Sequence, residues 1–111
     1  MTTAFFSHDD CMKHNMGPEH PESPERLSSI LAYLADTNLQ QELDWVRPEE
    51  ITRDQLLTVH PESYLHQLDL MQPTRGRVFT DPDTAMMPDT LRAARLAAGG
   101  NVQAVDMVMS S

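Results

Sequence analysis

The sequence has no long apolar run and only one cysteine. Because Cys11 stands alone among the 111 residues, no disulfide can form within the chain, and a reducing compartment is favoured. No segment approaches the ~20 apolar residues that a membrane-spanning helix needs. The opening segment MTTAFFSHDD also lacks the basic and apolar regions of a signal peptide. We therefore expect a cytoplasmic location and no contact with a membrane.

Basic side chains are also scarce. The chain has 8 Lys and Arg residues against 17 Asp and Glu residues, and its formal net charge is -9. Phosphate backbones repel such a chain, which disfavours nucleic-acid binding. The acidic residues form no long run, a distribution typical of a solvated surface rather than of an acidic recruiting face. The length suits one domain or part of one.

The first half of the sequence predicts a strand, a helix and a second strand. The strands are predicted over 2–8 and 44–48 and the helix over 23–37, with Ser23 as its cap and Pro24 at its first position. This order predicts a βαβ unit with a parallel strand pair. Helical spacing of apolar residues predicts that one face of the helix is buried. That face comprises Leu27, Ile30, Leu31 and Leu34.

The tetrapeptide HPES occurs twice, at 20–23 and 60–63. The sequences diverge directly after each copy, so we interpret the duplication as helix-start chemistry rather than as an internal repeat. Short helices are predicted over 52–59 and 61–71, because Pro61 interrupts the helical pattern. Thr52 is the expected cap of the first of these helices. Tyr64 and Leu68 are expected to pack in the core.

A last helix is predicted over 90–111, capped by Asp89. Gly99 and Gly100 lie in its middle, where each glycine costs about 1 kcal/mol relative to alanine. Two tolerated glycines predict the close approach of another segment of backbone.

Two long irregular segments, 9–23 and 72–90, are of a length that usually carries function. The spacing of His8, Cys11 and His14 resembles that of zinc ligands, but structural zinc sites usually need a second pair, which is absent from this sequence. Cys11 as a nucleophile is disfavoured, because acidic neighbours raise the pKa of a thiol.

Four charged residues are candidates for a binding role. Arg26, in the first turn of the helix at 23–37, is either exposed or turned inward to hold an anion or backbone carbonyls. Asp81, Asp83 and Asp89 could bind a metal or a substrate amide. Turn and cap positions explain Asp81 and Asp89, and they explain Asp83 less well.

Three motifs together resemble one family. The motifs occur in a fixed order and span nearly the whole chain. They are HDDCMKH followed by GPEHPESPERLSSI, then LLTVHPESYLHQL, then DPDTAMMPDTLRAARLAAGGNVQAVD. They resemble the N-terminal segment of the histone deacetylase and acetylpolyamine amidohydrolase superfamily, and most closely its class II-type and bacterial members.

The resemblance implies an α/β chain that forms the N-terminal part of an arginase-deacetylase-type three-layer fold with a parallel sheet. Residues 1–111 would be the N-terminal fragment of a single deacetylase catalytic domain. Such enzymes use one zinc ion to hydrolyse acetyl-amide bonds, in acetylated protein or in small substrates such as acetylpolyamines. The zinc ligands and the adjacent histidine pair of the family are expected beyond residue 111. No catalytic or metal-binding residue is therefore assigned here, and the fragment alone is expected to be inactive.

Some residues do carry over from the family pattern. His20 and Pro21 match the loop at the rim of the substrate tunnel. Asp83, or its neighbour Thr84, matches the position that can hydrogen-bond the substrate backbone. Arg26 matches an arginine that lines an internal channel, which favours its inward orientation.

Two alternatives remain open on the sequence. One is an acidic interaction domain that derives from this family and has no catalytic activity. The other is a small zinc-binding module that uses His8, Cys11 and His14.

Overall fold

A computed structural model describes residues 2–110 of the chain. The elements, in chain order, are strand β1 (Thr3–Phe6), a 3-10 helix (Asp9–Lys13), helices α1 (Pro24–Ala35) and α2 (Leu39–Glu42), strand β2 (Leu43–Val46), helices α3 (Arg53–Leu57) and α4 (Glu62–Met71), strands β3 (Val78–Asp81) and β4 (Thr84–Met86), and helix α5 (Thr90–Ser110). Among these residues, no helix is both long and apolar enough to cross a membrane.

Strands β1 and β2 form a parallel pair, with Thr3 opposite Leu43 and Phe6 opposite Val46. Helix α1 lies between them in the chain, so the predicted βαβ unit is confirmed. The rings of Phe5 and Trp45 lie 4.7 Å apart across the pair, a contact of the kind that stabilises neighbouring strands. The short helix α2 directly before β2 was not predicted.

Helix α1 differs from its prediction in two respects. Ser23 occupies the cap position with extended backbone, but its side chain makes no capping hydrogen bond in the described structure. The Ser23 carbonyl instead accepts from the backbone N–H of Arg26 at 3.2 Å. The expected burial is also wrong, since no described residue of α1 is buried and Ile30 is 47% exposed.

Helices α3 and α4 begin as predicted. The Thr52 side chain accepts from the backbone N–H of Gln55, whose side chain bonds back to Thr52, which gives a complete capping box. Pro61 occupies the cap position of α4. Leu65 is buried, whereas Tyr64 is 44% exposed, so its predicted place in the core is wrong. The Tyr64 ring instead lies 5.2 Å from that of His60 near the surface.

The two long segments contain more structure than expected. The segment 9–23 begins with the 3-10 helix, and the segment 72–90 contains an antiparallel hairpin formed by β3 and β4. The two strands are three or four residues long and are joined by a two-residue turn at Pro82 and Asp83. Strands this short give little periodic signal in the sequence.

Helix α5 contributes more buried residues than any other element of the described structure. Leu91, Ala93, Leu96, Gly99 and Gly100 are its buried residues, while its last turns expose Val105, Met107, Val108 and Met109. The predicted last residue of this helix, Ser111, lies outside the described residues.

The segment between β2 and α3 crosses α5 at Gly99. A Cβ atom at Gly99 would overlap the carbonyl oxygen of Glu49 and lie 2.7 Å from the backbone nitrogen of Ile51. The same segment is held by a hydrogen bond from Ile51 N to the Arg95 carbonyl at 3.0 Å. The close backbone approach predicted from the glycine pair is therefore confirmed.

A continuous series of ion pairs links the 3-10 helix, the 47–52 segment and helices α3, α4 and α5. Acidic and basic side chains alternate along it, with nitrogen-to-oxygen distances from 2.5 to 3.9 Å. The series runs through Glu62, Arg53, Asp69, Arg95, Glu50, Arg92, Asp10 and Lys13. Hydrogen bonding to Arg92 and then to Lys13 lowers the pKa of Asp10 from 3.8 to about 2.

Candidate functional site

The segment 14–23 lies along the hairpin and the start of α5. His14 Nδ1 lies 2.8 Å from the Thr90 hydroxyl, and Arg77 Nε donates to the Asn15 carbonyl at 2.8 Å. Further along, the buried Met16 packs against β4, where its sulfur lies 3.4 Å from the backbone nitrogen of Ala85. These contacts join the two long segments, 9–23 and 72–90, that the sequence predicts to carry function.

The side chains of His20 and Asp83 lie within hydrogen-bonding distance at the turn of the hairpin, although the two residues are 63 positions apart in the chain. His20 Nδ1 accepts from the backbone N–H of Glu22 at 3.0 Å. In the neutral ring the proton therefore lies on Nε2, which donates to Asp83 Oδ1 at 3.0 Å. The His20 side chain is only 19% exposed, whereas that of Asp83 is 88% exposed.

The hairpin turn fixes the backbone at Asp83. The Asp81 carboxylate accepts from the backbone N–H of Asp83 at 2.8 Å, which confirms the turn role expected for Asp81. Pro21 and Thr84, the other two predicted rim residues, are exposed beside this contact in the chain. Thr84 is part of β4, and its carbonyl accepts from the Thr80 hydroxyl at 3.2 Å.

An open, polar cleft lies beside His20. Its volume is about 620 Å³, and its lining includes Gly17, Glu25 and Arg77. Gly17 has a φ of 103°, a backbone conformation that other residues rarely adopt. Neither Arg77 nor Asn15, whose carbonyl accepts from Arg77, was predicted from the sequence. Arg77 follows a glycine in a long irregular segment, where no regular spacing of residues indicates a functional site.

Arg26 lies away from this cleft. It is exposed and borders a separate hollow of about 210 Å³ together with Cys11, His14, Glu22 and Leu27. In residues 2–110 no hydrogen bond or ion pair of its guanidinium group is present. Its inward orientation toward a channel stays a prediction.

His8 and His14 each make a hydrogen bond to another residue, and Cys11 is a half-buried free thiol. The buried His8 accepts from the backbone N–H of Asp10 through Nδ1 at 3.0 Å and so caps the 3-10 helix. Burial, and secondarily the Asp10 carboxylate, raise the pKa of the Cys11 thiol, which is unfavourable for a nucleophile. The hypothesis of a zinc module therefore gains no support.

The side chains of residues 2–110 do not fit the metal that the family resemblance implies. Within residues 2–110, no three or more His, Cys, Asp or Glu side chains are grouped so that they could hold a metal ion. The His20 and Asp83 pair can instead accept a hydrogen bond from a ligand. It presents a carboxylate acceptor, held by an imidazole donor, and the imidazole also lines the open cleft.

Comparisons with known proteins agree on one family. Residues 20–111 match the family model described as histone deacetylase domain. A probable deacetylase from Archaeoglobus fulgidus is 30% identical over 112 residues, which cover 99% of this chain and 31% of that protein. Type-2 histone deacetylase 1 from Dictyostelium discoideum is 28% identical over 150 residues, covering 92% of this chain and 10% of that protein.

The fold agrees with the sequence comparisons. The crystal structure of the HDA15 HD domain superposes with a TM-score of 0.76 at 28% identity, covering 88% of this chain and 29% of that chain. This likeness confirms the predicted α/β fold of the arginase-deacetylase type. The chain spans about a third, or less, of the length of the relatives it matches.

Proposed function

Because the chain belongs to the histone deacetylase family, we propose that it forms the N-terminal portion of a domain that hydrolyses acetyl-amide bonds. The observation that carries this proposal is the match of residues 20–111 to the histone deacetylase domain. The proposed substrates are acetyl-lysine in proteins and small acetyl-amides such as acetylpolyamines.

In this proposal, the residues at the outer end of the hairpin form part of the substrate rim. His20 and Pro21 contribute one side, and Asp83 and Thr84 contribute the other. The direct contact between His20 and Asp83 supports this assignment, because it places side chains from both predicted rim segments within 3.0 Å. Arg26 is proposed to line an internal channel of the same domain.

The hydrolysis is further proposed to depend on zinc that residues outside this chain hold. The side chains of residues 2–110 do not form a site for it, so none of them is assigned a step of the reaction. We propose that residues 1–111 alone do not hydrolyse acetyl-amides, because the sequence contains no adjacent histidine pair to move protons during hydrolysis.

The decisive experiment measures acetate release by the complete protein that carries this chain. An acetyl-lysine peptide and an acetylpolyamine serve as parallel substrates, before and after chelation and again after zinc is restored. We expect hydrolysis of at least one substrate, loss on chelation and recovery with zinc, and no release by residues 1–111 alone. A folded complete protein that releases no acetate from either substrate would overturn the proposal and favour an interaction domain.

A further inference from the structure

We propose that His20 is a positioning residue, which holds the Asp83 carboxylate so that its second oxygen faces an N–H donor of the substrate. The inference rests on the proposed acetyl-amide hydrolase function. It adds a role for His20 that is separate from direct substrate contact.

The first observation is the fixed direction of the His20 ring. Its Nδ1 is taken up as an acceptor by the backbone N–H of Glu22, so Nε2 carries the proton and can only donate. That donor lies 3.0 Å from Asp83 Oδ1. A hydrogen bond to a carboxylate is shorter and stronger than one between neutral groups.

The second observation is the exposure of Asp83. A side chain that is 88% exposed would ordinarily exchange between rotamers in solvent on a timescale of nanoseconds or less. Here the Asp81 carboxylate restrains its backbone, and His20 restrains one of its oxygens. Within residues 2–110 no partner of Oδ2 is present. Asp83 Oδ2 is therefore a hydrogen-bond acceptor of restrained position that is available to a ligand.

The third observation is the support behind His20. The segment that carries it is anchored to the start of α5 by the contact of His14 with Thr90 and to the residue before β3 by the hydrogen bond from Arg77 to Asn15. The buried Met16 adds apolar packing against β4. His20 therefore projects from a braced segment, and its reach to Asp83 does not depend on the ordering of a free loop.

These features favour a substrate that carries an N–H donor beyond its acetamide group, such as the main-chain amide of a peptide. A pre-positioned acceptor reduces the ordering that binding would otherwise require. A small N-alkylacetamide with no further donor would gain nothing from Oδ2. The two substrates therefore separate positioning of Asp83 from general effects on the active site.

The test compares two substitutions of His20 in the complete protein. In His20→Gln, the side-chain amide nitrogen can still donate to Asp83. In His20→Asn, the shorter side chain keeps an acceptor for Glu22 N but does not reach Asp83. For an acetyl-lysine peptide we expect His20→Asn to raise KM about tenfold with little change in kcat, as for loss of one charge-assisted hydrogen bond. His20→Gln should restore most of the affinity.

Two controls make the result specific. His66→Asn makes the same replacement at an exposed position of α4, outside the lining of the cleft beside His20, and it should leave the peptide KM within about twofold of wild type. Because His20 is itself proposed as a rim residue, the readout is the ratio of the two substrates: His20→Asn should lower kcat/KM for the peptide about tenfold more than kcat/KM for the N-alkylacetamide. Thermal unfolding of each variant verifies that the fold is retained.

The outcomes are distinct. An unchanged peptide KM in His20→Asn, or an equal loss of kcat/KM with both substrates, would overturn the positioning role while leaving the hydrolase function intact. If the wild-type protein hydrolyses neither substrate, the proposed function fails and the inference fails with it.

Discussion

Replacing Gly99 by alanine should destabilise the protein even though alanine is the better helix former. The new Cβ would overlap the Glu49 carbonyl and lie 2.7 Å from Ile51 N. Both neighbours are backbone atoms, which cannot avoid the methyl group by a change of rotamer. The 47–52 segment would have to move, and the hydrogen bond from Ile51 to Arg95 would be strained with it.

The gain in helix propensity from Gly99→Ala can be compared with the cost of the steric overlap. Alanine gains about 1 kcal/mol of helix propensity over glycine. Overpacking costs ~1–3 kcal/mol, and loss of the hydrogen bond from Ile51 adds about 1 kcal/mol. Rigid backbone at the contact favours the upper part of the overpacking range. We therefore expect a net loss of roughly 2–3 kcal/mol in the free energy of unfolding.

The assay is urea and thermal unfolding of the complete protein, followed by circular dichroism. Ala97→Gly is the matched control, because Ala97 is exposed two residues earlier in α5. It should lose about 1 kcal/mol from propensity alone. The key observation is that both substitutions destabilise, although they change helix propensity in opposite directions. If Gly99→Ala is as stable as wild type, or more stable, the close crossing at Gly99 is wrong.

Three further predictions test other parts of the structure. Because the pKa of Asp10 is lowered from 3.8 to about 2, its contribution to stability is complete above about pH 4 and disappears as the pH falls through 2. Urea midpoints should show Asp10→Asn less stable than wild type at pH 5, with the difference vanishing near pH 2; an equal difference at both pH values would contradict this origin. Thr52→Ala should cost about 1 kcal/mol in unfolding experiments by removing the cap of α3, and an unchanged midpoint would argue against the capping box. Arg26→Ala should lower kcat of the complete protein without changing its zinc content, and equal kinetics would refute the channel role.

Local chemistry made several elements predictable from the sequence. The threonine before α3, the proline at the start of α4 and the glycine pair in α5 each act through contacts near their own backbone, and the structure confirms all three. The parallel pairing of β1 and β2 followed from the order of elements. Features of this kind depend on few residues, so a single sequence determines them.

Other features depend on partners far along the chain. Apolar spacing in α1 indicated a buried face, but spacing does not say whether another element covers that face, and in residues 2–110 Ile30 is exposed. His20 and Asp83 were each named as rim residues because of family resemblance. Their hydrogen bond could not be predicted, because it depends on an unrecognised hairpin that brings the turn beside His20.

The late position of helix α5 in the chain has a consequence for synthesis. Of the eleven buried residues in the described structure, seven lie between 85 and 100. A growing polypeptide would therefore present β1, α1 and β2 to the cell before the residues that form most of the core have been made. Until then the apolar side chains of these elements have few partners, a situation that exposes nascent chains to aggregation and to chaperones. Co-translational folding of this region should begin only when the glycine pair of α5 has emerged.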